Sequence, residues 1–408
     1  MTTYCSDVPY DKVSSMISVS CKNFMRWQAV AGTLIVPAVI LGLVAANTVL
    51  GHWFALLRET VFSLSLGSST LGQPLLQWIN QAGVSLLFFL VGLECKRAFM
   101  DGELKGADRL RLPLLAALGG LCASAAAGLV FGGAEAGMGW WMVPMGVDIA
   151  LGLAVLTWLG ERVPPALKVF FTTTAMFAAI GAAVVAAGTQ GAPLPWTVLA
   201  PAGACLLVLG LLNLARVESL SLYLLPAATL WTLLAGSAVH AVLAALLAAL
   251  FIPGSNRGQT RSPLLELEQD LLPAVCCVVL PLLALANAGL PLRETGGPDM
   301  MGPGSMGIVL GLFPAKALGV LALCWVGVKA RVCVLPPGVG WKELGGAAVL
   351  GGAGFTVNVF LALAVAGPDG SVPACLAVMI GSAVSIPMGY ALLRQVLARR
   401  RNKVLQRS

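Results

Sequence analysis

Charge is scarce in this 408-residue chain: 11% of its residues are Asp, Glu, Lys or Arg, and only two are histidine. An ordinary soluble domain carries about 25% charged residues. Apolar residues take up the difference at 58%, and the mean hydropathy is +0.89. A water-soluble globule needs polar cover that is missing here, which excludes a soluble enzyme, a nucleic-acid binder and a disordered protein. Strand-type alternation is absent and the apolar runs are long. The expected fold is therefore an all-α polytopic membrane protein rather than a barrel. The ten cysteines form no CxxC, and His52 and His240 stand far from any pair of them, so neither a disulfide nor a metal site is expected. No HExxH or nucleophile elbow is present, which argues against an intramembrane enzyme. Most tryptophans sit near run ends as an interfacial belt, and no cofactor is implied.

A helix needs roughly 20 apolar residues to cross the hydrocarbon. About twelve runs qualify, near 27–46, 78–99, 110–131, 140–159, 165–187, 194–215, 220–235, 237–253, 270–291, 305–329, 345–366 and 372–395. Residues 50–77 and 254–269 are the long connections, the first lying at the interface. Residues 1–26 are polar and have no apolar h-region, so the first run serves as its own insertion signal. With the N-terminus inside, only Arg58 and Arg293 of the 25 Lys and Arg fall outside, and Lys316 falls within a run. All the others are cytoplasmic, as the positive-inside rule demands. This divides the chain into a cytoplasmic segment 1–26, a single transmembrane domain 27–395 and a basic cytoplasmic tail 396–408. The tail is a charge cluster for anionic lipid, not for nucleic acid.

Two ionisable groups lie deep inside runs: Asp148 in MGVDIALG (145–152) and Lys316 in GLFPAKALG (311–319). A charge at the bilayer centre costs about 2.5–3.5 kcal/mol on insertion scales, so such residues are retained for a reason. One reading is an ion or proton site; the other is a structural pair or a charge that offsets helix ends. Pro144, Gly146 and Gly152 surround Asp148, and Gly351, Gly352 and Gly354 interrupt AVLGGAGFTVNVF (348–360). Glycines there either break the span or let helices pack closely. Two broken spans, one early and one late, point to inverted repeats crossing at the midplane.

Seven collinear segments carry a resemblance. They are LLQWINQAGVSLLFFLVGLECKR (75–97), PMGVDIALGLAVLTWLGERVPPALKVF (144–170), LWTLLAGSAVHAVLAALLAALFIP (230–253), RSP (261–263), LPLLALANAG (280–289), AKALG (315–319) and GAGFTVNVF (352–360). Over about residues 26–395 the chain resembles the bacterial NhaA-family sodium/proton antiporters. The resemblance implies a twelve-helix inner-membrane protein that exchanges protons for Na+ or Li+ by alternating access, with a homodimer left open. It implies an ion and proton site at Asp148 and Lys316, and pH-response positions at Glu94, His240 and Glu268. The departure is central. The family's fifth-span Asp-Asp pair is replaced here by Ala178 and Ala179, and Gln81, Ala98, Val147 and Ala317 depart nearby.

Sodium prefers anionic oxygen ligands. Stripping its water without replacement costs on the order of 20 kcal/mol by an idealised Born estimate. Two methyl groups cannot supply that. Thr174, one turn before Ala178, can add a hydroxyl on the same face, although threonines inside a span commonly bond back to their own helix. Lys316 has lost the carboxylate that partners it in the family. Paired with Asp148, it closes the interior to cations; unpaired, it can carry a proton or attract an anion. Three functions follow: an antiporter with an altered site, a non-transporting membrane scaffold or regulator, and a transporter of another solute.

Overall fold

The structure is a computed structural model. It describes residues 19–66, 69–101, 107–133, 139–190, 195–236, 238–254, 262–291, 302–365 and 367–405. The N-terminal segment 1–18, Arg257, Arg261 and Arg293 lie outside the described residues, as do the side chains of the tail from Arg400 onward. Among the described residues, 9 helices are long and apolar enough to cross a membrane, and three apolar helices are shorter. Together they cover each of the apolar runs.

The chain opens with α1 (Val19–Ala46) and a short α2 (Gly51–Glu59). A two-stranded antiparallel hairpin follows, β1 (Val61–Leu66) against β2 (Ser69–Pro74). The hairpin departs from the all-helical expectation. After Val61, FSLSL in fact alternates apolar and polar residues with period two, a pattern short enough to be lost in the long connection. Then come α3 (Leu75–Asp101) and α4 (Ala107–Phe131), a 3-10 turn at Trp140–Met145, α5 (Ile149–Trp158) and α6 (Pro165–Gln190). The second half holds α7 (Trp196–Leu214), α8 (Leu220–Leu234), α9 (Ala238–Phe251), α10 (Pro263–Ala274) and α11 (Leu280–Ala288). It ends with α12 (Pro303–Leu310), α13 (Lys316–Lys329), α14 (Trp341–Leu350), α15 (Thr356–Val365) and α16 (Gly367–Leu405).

These elements fall into two compact units. The first is built from Met1–Thr33, Asp101–Ala182 and Thr295–Ser408. It contains two sets of three spans, and the middle span of each set is interrupted. In one the helix is broken between residues 145 and 149; in the other, between α14 and α15. Helix α4 lies along α13 so closely that a Cβ on Gly119 would run into the Gly319 backbone, and the reverse holds too. Small residues allow this approach where lipid supplies no hydrophobic drive. A π-turn at Gly311–Ala315 joins α12 to α13 around Pro314. Ser124 Oγ donates to the Gly311 carbonyl at 3.0 Å, satisfying an oxygen beside that turn.

The second unit comprises Leu34–Met100 and Ala183–Glu294. Its core gathers Leu93, Tyr223, Leu230, Ala244, Ala248 and Ile252. A π-turn at Val275–Val279 joins α10 to α11. Asn80 and Asn287 bond each other reciprocally at 2.9 and 2.6 Å, and Gln81 Nε2 donates to the Ala235 carbonyl at 2.7 Å. Both devices satisfy buried amides without exposing them to lipid.

Candidate ion-translocation site

An interrupted helix leaves N–H groups at one new end and carbonyls at the other. In a membrane these need protein partners. In the first unit the two interruptions supply them to each other. The chain is extended at Gly146–Asp148, and Asp148 N donates to the Ala353 carbonyl at 2.9 Å. Gly354 N donates to Ser382 Oγ at 3.3 Å. The glycines of AVLGGAGF therefore mark a true break. A Cβ on Gly352 would meet the Leu312 carbonyl and Ser385 Oγ, each at 2.5 Å, and one on Gly354 would overlap the Asn358 amide. Gly351 closes α14 and is less crowded, its nearest neighbour being Ala348 O at 3.1 Å. Gly152 is different: it lies inside α5 and gives room to the Phe171 ring, so it is a packing position and not part of the break.

Asp148 sits at the crossing and is 4% exposed. One carboxylate oxygen accepts from Ala150 N at 3.1 Å and Leu151 N at 3.3 Å, capping α5. The other accepts from Thr356 N at 3.1 Å and Thr356 Oγ1 at 2.7 Å, at the start of α15. One negative charge thus faces the positive ends of two helices. Lys316, 1% exposed, donates from Nζ to the Gly146 carbonyl at 2.6 Å, beside the turn that ends the first half of the broken span. Among the described residues Asp148 and Lys316 form no ion pair. The acid caps two helix starts and the base donates to a backbone carbonyl.

Beside Lys316 is a cavity of about 30 Å³, walled by Ala116, Ala117, Gly120, Met145, Val147, Phe170, Thr174, Ala178 and Val320 among others. That volume suits on the order of one or two water molecules. Ala178 lines it; Ala179 is equally buried but is not among its lining residues. The two alanines therefore differ: only the first lines the cavity. Thr172 and Thr173 bond back to the carbonyls of Lys168 and Val169 at 2.8 and 2.9 Å. Thr174 Oγ1 lines the cavity and has no hydrogen-bond partner among the described residues. Both amide atoms of Asn358, fully buried, and Ser385 Oγ are in the same position. Buried polar groups are rarely left so.

Sequence reasoning missed Thr356, Asn358 and Ser382. The clue was present: Thr356 and Asn358 are polar residues two apart in an apolar run, which in a membrane span calls for a partner.

The pH-response candidates separate. In the second unit Arg97 Nε donates to Glu94 Oε2 and to Glu268 Oε2, each at 3.1 Å, and Nη2 reaches Glu94 Oε1 at 2.5 Å. All three side chains are buried. One guanidinium serves two carboxylates, so the trio carries one negative charge when fully ionised. Lys96 Nζ beside it donates to the carbonyls of Leu250 and Ile252 at 2.7 and 2.6 Å, at the end of α9. His240 is near the other end of α9, ten residues before Leu250, or about 15 Å along the axis. It is not part of the trio, and its Nδ1 is buried without a partner among the described residues. No group of three or more His, Cys, Asp or Glu placed to hold a metal occurs among the described residues.

The family model for Na+/H+ antiporter 1 matches residues 22–393. A relative named Na(+)/H(+) antiporter NhaA from Psychrobacter cryohalolentis is 38% identical over 380 residues, covering 92% of this chain and 95% of the relative. One of the same name from Campylobacter concisus is 37% identical over 377 residues, covering 91% and 92%. Another, from Yersinia pseudotuberculosis, is 36% identical over 387 residues, covering 94% and 98%.

Proposed function

The chain belongs to the Na+/H+ antiporter 1 family, and from that premise we propose that it exchanges protons for Na+ or Li+ across the membrane through an atypical site. It is a multi-pass membrane transporter, not an enzyme. The observation that carries the reading is the crossing itself: two interrupted spans in one compact unit, with one acid and one base buried where they meet. Lys316 is the proton-carrying group. Asp148 holds the crossing together and lends its field to the cation, because its oxygens are already engaged by four donors. Cation ligation then falls to neutral oxygens, a weaker set than a carboxylate pair. The Glu94–Arg97–Glu268 trio is the pH-responsive element, since uptake of one proton cancels its net charge. Residues 27–395 act as one transporter domain in the inner membrane, with both termini cytoplasmic.

The test is Na+-dependent proton exchange in inverted vesicles, for the wild type and for Ala178→Asp/Ala179→Asp. Restoring the pair raises exchange if the alternating-access machinery is intact; no gain in a folded variant counts against it. The small, mostly apolar cavity beside Lys316 favours a second reading, a non-transporting membrane scaffold. That reading requires no Na+-, Li+- or pH-driven flux, and any flux abolished by Lys316→Met removes it.

A further inference from the structure

Away from the crossing, the first unit contains a groove of about 530 Å³ between the first turns of α1, the end of α5 and the start of α6. On α1 its wall is Lys22, Arg26, Val30 and Thr33, an exposed stripe at spacings of four, four and three, with Met25 and Ala29 at its edge. Those spacings put one helix face into the groove. The facing wall is Thr157, Trp158, Glu161, Pro165 and Lys168. The groove is graded. Its α1 cations, Lys22 and Arg26, lie toward the start of the helix, and the α1 wall continues from there to Thr33, roughly 10 Å of helix rise.

Three cations face one carboxylate, Glu161. Among the described residues none of these four groups makes an ion pair. Trp158, 51% exposed, stands at the rim as an interfacial anchor does. Unpaired cations lining a mostly apolar groove fit a ligand that is anionic at one end and hydrocarbon at the other.

We propose that this groove is a binding site for an anionic phospholipid, its phosphodiester held by Lys22, Arg26 and Lys168 and an acyl chain lying along Ala29, Val30 and Trp158. Glu161 accepts a hydroxyl of the headgroup. The site is separate from the basic tail and does not depend on the transport reading. It ties the start of α1 to the turn between the interrupted span and α6, so an occupied groove stiffens the approach to the crossing.

The test is native mass spectrometry and thermal melting of the delipidated full-length protein. Phosphatidylglycerol, phosphatidylethanolamine, phosphatidylcholine and inorganic phosphate are added separately. Phosphatidylglycerol is expected to bind and to raise the melting temperature more than either zwitterionic lipid. Lys22→Gln/Arg26→Gln/Lys168→Gln is expected to weaken binding on the order of 100-fold, from about fivefold per basic residue at a lipid surface. The charge-keeping Lys22→Arg/Arg26→Lys/Lys168→Arg variant retains binding, which separates charge from misfolding. A variant with glutamine at Arg399, Arg400 and Arg401 binds as the wild type does. Equal binding of phosphatidylglycerol and phosphatidylethanolamine overturns the proposal. So does an effect reproduced by inorganic phosphate, or one lost only with the tail charges.

Discussion

Replacing Asp148 by Asn keeps the shape of the side chain and removes its charge. The carboxylate now accepts from four donors on two helix starts, at 2.7–3.3 Å. Asparagine accepts with one oxygen only; its NH2 must face either the Ala150 and Leu151 amides or Thr356. Two donors then lose their acceptor, of which the Thr356 hydroxyl can turn away but a backbone N–H cannot. One orphaned buried N–H costs about 1–3 kcal/mol. The lost interaction of a charge with two helix starts adds about 1–2 kcal/mol at each in a buried geometry. The expected loss is therefore about 3–7 kcal/mol, spent at the crossing and nowhere else. It is read as a lowered midpoint of thermal or denaturant unfolding in detergent, with hydrogen exchange rising at Ala150, Leu151 and Thr356. Thr356→Val, which removes only the hydroxyl, should cost about 1 kcal/mol, and on the Asp148→Asn background less. An Asp148→Asn protein with an unchanged midpoint and unchanged protection at those three amides would refute the double-cap reasoning.

Other outcomes follow from the same contacts. Ala178→Asp, which lines the same cavity as Lys316, should be tolerated better than Ala179→Asp, which is equally buried but does not line it; expression and melting temperature of the two single variants decide this. Arg97→Met takes the guanidinium away from two buried acids, Glu94 and Glu268, a loss of about 3–5 kcal/mol. Because ionised carboxylates are the cost, the loss should be largest at pH 8 and shrink toward pH 5, as unfolding at several pH values will report. Gly354→Ala collides with the Asn358 amide, so Asn358→Ala should rescue part of its instability in a double-mutant cycle. Gly352→Ala collides with the Leu312 carbonyl, a backbone atom, and the same second substitution should give it no relief.

The presence of the apolar spans, the two interruptions and the family were legible in the chain, but not every edge: α1 begins at Val19 inside the expected polar segment 1–26, and α10 at Pro263 inside the expected loop 254–269. A run of apolar residues crosses oil whatever its neighbours do, and glycines next to a buried acid mark an opened helix. Even there the pattern was ambiguous at Gly152, which reads like a break and is a seat for Phe171. The hairpin at 61–74 escaped notice because a five-residue alternation is a faint signal inside a long connection.

What the sequence alone determined is where its long apolar runs lie, where two of them are interrupted, and that Asp148 and Lys316 fall within such runs. What only the tertiary structure decided is whom those two groups serve. Asp148 reaches Thr356 across 208 residues, Lys316 reaches Gly146 across 170, and neither finds the other. Partners so distant along the chain are chosen by packing, which brings together whichever unsatisfied backbone and side-chain groups the membrane cannot hydrate.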